Sequence, residues 1–125
     1  MINMKNITNI KLVNLTPHEL TIYDANNVVL RIPPSGQVAR VTTREKIIGS
    51  VNGVPLVTTE YSAVEGLPDP QPGTMYIVSL IVLQALKSQG ITRDDVIAPN
   101  TAPTPNGAVR DSKGQIVGVR SFVVL

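Results

Sequence analysis

Apolar and polar positions alternate along much of this chain, and turn-forming residues divide the alternation into hairpins. Leu20-Thr-Ile-Tyr-Asp24 and Val28-Val-Leu-Arg-Ile32 flank Ala25-Asn-Asn27, where asparagine tolerates the positive φ of a tight turn. Pro33-Pro34-Ser35-Gly36 stops the second strand, because paired prolines donate no ladder hydrogen bonds, and residues 37–43 resume in extended form. Residues 45–51 and 54–61 then flank Asn52-Gly53, which predicts a hairpin closed by a type I′ turn. Pro55 pushes the returning strand toward a sheet edge.

A proline-punctuated loop over 66–73 leads into a buried strand at 74–78. Ser79 caps a helix over 80–88 that is apolar nearly all round, and Gly90 stops it. A short strand at 94–98 precedes a loop stiffened by Pro99, Pro103 and Pro105. The last hairpin pairs 108–110 with 115–125 across Asp111-Ser-Lys-Gly114. Roughly seven to nine strands and one short helix predict a mainly β, formally α+β fold. The expectation is one domain over 1–125, with 1–12 as an N-terminal extension and an antiparallel or mixed sheet curling around the helix. The final strand is apolar on both faces through Phe122, Val123 and Leu125, and one short helix covers only one face of a sheet. A second sheet or a second subunit must cover the other, and the expectation is a homo-oligomer, a dimer at least, with this strand at or beside the interface.

Composition narrows the function classes. The 125 residues carry eleven Lys and Arg against nine Asp and Glu, evenly spread, so neither half is a nucleic-acid arm. Three Tyr, one Phe and no Trp offer few platforms for stacking single-stranded bases. The absence of cysteine excludes disulfides, thiolate metal sites and cysteine nucleophiles, and one histidine excludes a multi-histidine zinc site. No signal-peptide pattern opens the chain and no apolar run is long enough for a membrane helix; a soluble cytoplasmic protein is the expectation.

His18, in Thr16-Pro-His-Glu19, is either a ligand-contacting group or part of a turn. Pro34-Ser-Gly-Gln-Val-Ala-Arg40 could offer Arg40 to an anion, yet matches neither a phosphate loop nor a dinucleotide fingerprint. Asp94, Asp95 and Asp111 are carboxylates that could hold a metal or, with His18, act as acid and base in a small phosphodiesterase or hydrolase. No nucleophile motif or metal-ligand cluster accompanies them, so a non-enzymatic protein without metal or cofactor is expected. The best binding set is Arg93, Asn100, Thr101, Arg110 and Arg120. Asn100 and Thr101 sit in a stiff loop that loses little entropy on gripping a ligand. Arg110 and Arg120, on the two arms of the last hairpin, are expected to share one anion through forked hydrogen bonds. Tyr76 or Phe122 would stack on a base.

Asn14-Leu-Thr-Pro-His18, Pro34-Ser-Gly-Gln-Val-Ala-Arg40, Gly53-Val-Pro55, Val64-Glu-Gly-Leu-Pro-Asp-Pro-Gln71, Tyr76-Ile-Val-Ser79, Asp95-Val-Ile-Ala-Pro99 and Val109-Arg-Asp111 with Gly118-Val-Arg120 together resemble a family of small bacteriophage and prophage proteins of unknown function. The resemblance runs from about Val13 to Leu125. It implies a phage setting, in which small oligomeric proteins act as anti-defence sponges that sequester nucleotide immune signals. The expected partner is therefore a small anionic nucleotide-like ligand, with no membrane or nucleic acid. The alternative from the same setting is a protein–protein module, either an inhibitor of a host protein or a minor virion component.

Overall fold

The computed structural model describes residues 9–124. Ten strands and one helix follow in the order β1 (Lys11–Asn14), β2 (Leu20–Asp24), β3 (Asn27–Ile32), β4 (Thr43–Val51), β5 (Val54–Tyr61), β6 (Thr74–Ile77), α1 (Leu80–Ser88), β7 (Val96–Pro99), β8 (Ala108–Arg110), β9 (Ile116–Val119) and β10 (Phe122–Val124). The fold is mainly β with mixed sheets, as the alternation predicts. The first sheet has the order β1-β6-β7-β10, the second β3-β2-β9-β8, and β4-β5 forms a separate two-stranded unit.

The first sheet is the centre of the molecule, and its side chains divide strictly by alternation. Val13, Tyr76, Val78, Val96, Ala98 and Val123 point to one face, where Val82, Leu83 and Leu86 of α1 cover them. Leu12, Met75, Ile77, Ile97 and Phe122 point to the other, against Leu20, Ile22 and Ile32 of the second sheet. The layers are helix, sheet, sheet; the helix lies on a face and no sheet curls around it. Both faces of β10 are thus packed from within one chain: Phe122 meets the second-sheet side and Val123 the helix side. Of the two covers expected for this strand, the second sheet supplies one. Leu125 lies outside the described residues.

Local chemistry explains most boundaries. The Ser79 hydroxyl accepts a hydrogen bond from the Val82 amide, and Gly90 follows the helix at φ 71°. Asn52 and Gly53 both have positive φ, as a type I′ turn requires. In the first hairpin, however, the left-handed residue is Ala25, at φ 54°, and Asn27 already belongs to β3.

Three expectations change. Residues 37–43 hold a single antiparallel bridge, Arg40 to Glu65, before β4 begins at Thr43. The N-terminal extension is partly sheet, because Lys11 and Leu12 pair in parallel with Thr74 and Met75; residues 1–8 lie outside the described residues. The long last strand is two strands. It leaves the second sheet after Val119 and enters the first at Phe122, antiparallel to β7.

Candidate functional site

The crossing between sheets, at Arg120 and Ser121, is where the proline-stiffened loop docks. The Asn100 amide donates to the Ser121 carbonyl at 3.0 Å, and its Nδ2 donates to the Ser121 hydroxyl at 3.0 Å and the Asn106 carbonyl at 3.3 Å. Its Oδ1 accepts from the Ala102 amide at 3.1 Å, and the Ser121 hydroxyl donates to the Asn106 carbonyl. Gly107 donates to the Thr104 carbonyl, Ala108 to the Ala102 carbonyl and Arg120 to the Gly107 carbonyl, each at 3.0 Å. Asn100 therefore braces the loop and has no amide group to spare. Thr101 is exposed beside it. Arg120 is half-buried, and among the described residues its guanidinium has no hydrogen bond or ion pair. The structure thus gathers Asn100, Thr101 and Arg120 at one place, together with Ser121, Asn106 and Gly107.

Arg110 is elsewhere. It pairs with Ile116 near the turn, whereas Arg120 lies across from Gly107 at the other end of the hairpin. Four residues of extended chain separate the two positions, roughly 13 Å. The register thus sets the two arginines at opposite ends of the hairpin, not side by side. Arg110 Nη1 also donates to the Gly114 carbonyl at 2.6 Å.

Arg93 and Tyr76 lie in a second neighbourhood. Arg93 Nε and Nη2 donate to the two Asp95 carboxylate oxygens at 2.7 and 2.8 Å, and Nη2 also donates to the Pro68 carbonyl at 3.0 Å. That hydrogen bonding raises the Arg93 pKa and lowers that of Asp95, with burial opposing both shifts. Arg93 is a clasp for the 66–73 loop. Tyr76 is 4 % exposed and its hydroxyl donates to the Asp69 carbonyl at 3.3 Å, so a base reaches its ring only by opening the core. Phe122 is half-buried against the second sheet.

His18 and Arg40 are exposed. The His18 carbonyl accepts from Asn14 Nδ2 at 2.8 Å and the His18 amide donates to the Thr16 hydroxyl at 3.4 Å, which fits the turn role. Arg40 borders a hollow with Thr16, Ser79 and Ile81 at the start of α1. Of the carboxylates in the hydrolase reading, Asp95 is bound to Arg93, and Asp111 Oδ1 accepts from the Lys113 and Gln115 amides inside the turn. Among the described residues no three His, Cys, Asp or Glu side chains gather as a metal site, and no helix is long and apolar enough to cross a membrane.

A groove of about 400 Å³ runs over the exposed end of the first sheet, lined by Ile10, Leu12, Met75, Ile97, Phe122 and Val124. None of the candidate arginines borders it. Ser121, Asn106 and Gly107 were missed by the sequence reading. The signal was the polar pair Arg120-Ser121 interrupting an apolar run, which marks a strand break. Compared with protein-family models, curated proteins and solved structures, the chain matches none.

Proposed function

We propose that this protein is a phage-encoded, non-enzymatic binder that sequesters an anionic, nucleotide-derived immune signal inside the bacterial host cell. The observation that carries the reading is Arg120: a half-buried residue whose guanidinium has no hydrogen bond or ion pair among the described residues, set beside a loop already braced by its own hydrogen bonds. A cation in a rigid setting favours an anion, because little ordering entropy is lost on binding. Arg120 would meet a phosphate, Thr101 would bond ribose or base, and Arg110 would reach a second charged group of the same ligand. The resemblance to phage proteins supports the biological setting.

The test is depletion of a panel of cyclic oligonucleotides and cyclic ADP-ribose isomers, followed by heat denaturation and chromatography. One member should be depleted and come back intact, and Arg120→Ala should weaken binding at least tenfold. A returned cleavage product makes the protein a hydrolase instead, and no depletion of any member refutes the reading. A second reading, an interaction module that engages a host or virion protein, is favoured by the exposed apolar β4–β5 hairpin.

A further inference from the structure

The β4–β5 hairpin has a polar base and an apolar end. At the base, Arg44 faces Glu60 with Nη2 2.8 Å from Oε1, Glu45 faces Thr59 and Lys46 faces Thr58. Further out, Ile47 faces Val57, Gly49 faces Leu56, Ser50 faces Pro55 and Val51 faces Val54. Alternation puts Ile47, Val57 and Pro55 on one face, and Val51, Val54 and Leu56 on the other, with Ile48 at a register shift between them. Ile47 is 68 % exposed, Ile48 63 % and Val54 61 %. Every residue of β4 is exposed, and among the described residues the two strands pair only with each other.

Such a unit is unfinished by itself. A lone two-stranded hairpin is marginal in water, and an apolar patch of several hundred Å² marks an interaction site. Strand addition is a poor way to complete it. Pro55 offers no amide on one edge, and the irregularity at Ile48 bends the other. The two faces remain to be covered.

We propose that the distal half of this hairpin is an exchange arm that packs onto a second copy of the same chain. Charge argues for a copy: Arg44 and Lys46 balance Glu45 and Glu60, so the arm favours neither an anionic membrane nor a nucleic acid nor a charged peptide. Area argues the same way. The six aliphatic side chains from Ile47 to Val57 expose roughly 600 Å² on each chain, so two exchanged arms bring about 1,200 Å², the lower bound of a standard specific interface. Each copy also carries apolar strips that such an arm could cover, at Val28, Val29 and Leu30 on β3 and at Ile116 and Val117 on β9. The interface expected at the C-terminal strand thus moves to the arm.

The test is solution mass by light scattering at about 10 µM, for three proteins: wild type, Ile47→Lys with Val54→Lys (one charge on each face), and a chain in which residues 45–59 are replaced by a short Gly-Ser turn. Wild type should be a dimer or larger. Both variants should be monomeric, with the dissociation constant raised at least 100-fold and the cooperative thermal transition of the remaining fold retained. A monomeric wild type overturns the proposal, whether or not the arm then binds anionic vesicles or another protein. So does a hairpin-replaced chain that keeps the wild-type mass. The measurement needs no ligand, so its outcome is independent of the reading of Arg120.

Discussion

Asp95 holds Arg93 with both carboxylate oxygens, at 2.7 and 2.8 Å, although only one residue lies between them in sequence. The remaining reach of the guanidinium goes to the Pro68 carbonyl, so one ion pair fastens the 66–73 loop to the start of β7. Both side chains are mostly buried, at 16 % and 13 % exposed, which removes the screening that makes surface pairs weak.

This pair makes stability depend on acid. Hydrogen bonding from Arg93 lowers the Asp95 pKa, burial opposes it, and the charge of Arg93 adds to the lowering. A carboxyl whose folded pKa lies below its unfolded value of about 3.9 stabilises the fold fully above that value. The contribution is lost as pH falls through the lower, folded value. Asp95→Asn should cost about 2 kcal/mol at pH 7. In urea titrations its deficit against wild type should shrink as the pH drops below about 4. A deficit that stays constant to pH 2 contradicts the assignment.

Asn14 is 1 % exposed and fully satisfied: Nδ2 donates to the His18 and Ile32 carbonyls, and Oδ1 accepts from the Thr16 amide and hydroxyl. Removing the amide strands several buried groups at once. Asn14→Ala should therefore cost about 3 kcal/mol, seen as a lower urea midpoint with an unchanged slope. A loss below about 1 kcal/mol would mean that water replaces the side chain without difficulty.

Ala25 sits at φ 54°, a conformation that costs an L-residue with a Cβ about 1–2 kcal/mol. Ala25→Gly should stabilise the protein by about 0.5–1 kcal/mol, less than the full strain because glycine also loosens the unfolded chain. A calorimetric melt should shift upward. A downward shift would show that the turn carries no strain.

Gly107 tests the loop. A Cβ there would run into the Ala102 carbonyl oxygen, the acceptor for the Ala108 amide. Gly107→Ala should distort the loop and reduce anion binding about as much as Arg120→Ala. Amides of β6 and β7 should keep their hydrogen-exchange protection. Unchanged binding in this variant would separate the loop from the site.

The features legible in the sequence were those encoded locally. Asn52-Gly53 carries its own turn geometry, Ser79 its own cap, and the alternation through Met75, Tyr76 and Ile77 its own two faces. The break at Arg120-Ser121 was less visible, because Val119 and Phe122 both read as strand and a polar pair alone does not say that their partners differ. β1 was hidden for a related reason: Lys11–Asn14 has little pattern of its own and is fixed by parallel pairing to β6. The candidate site divided on register. Asn100 is brought beside Arg120 by its hydrogen bonds to Ser121, while Arg110 and Arg120 share a hairpin and still sit at its opposite ends. No single-strand pattern reports the offset between two strands.

The parallel pairing of β2 with β9, Ile22 against Val119, sets the order in which the protein can be completed during synthesis. Until Val119 has left the ribosome, the first hairpin has no neighbour on that side, and β10 cannot yet close the first sheet over Phe122. Completion of both sheets must wait for nearly the whole described chain, since contacts so distant in sequence form late and slowly. Through that interval one edge of β2 and one edge of β7 stay unpaired, and chaperone binding to the nascent chain should persist until the last strand emerges.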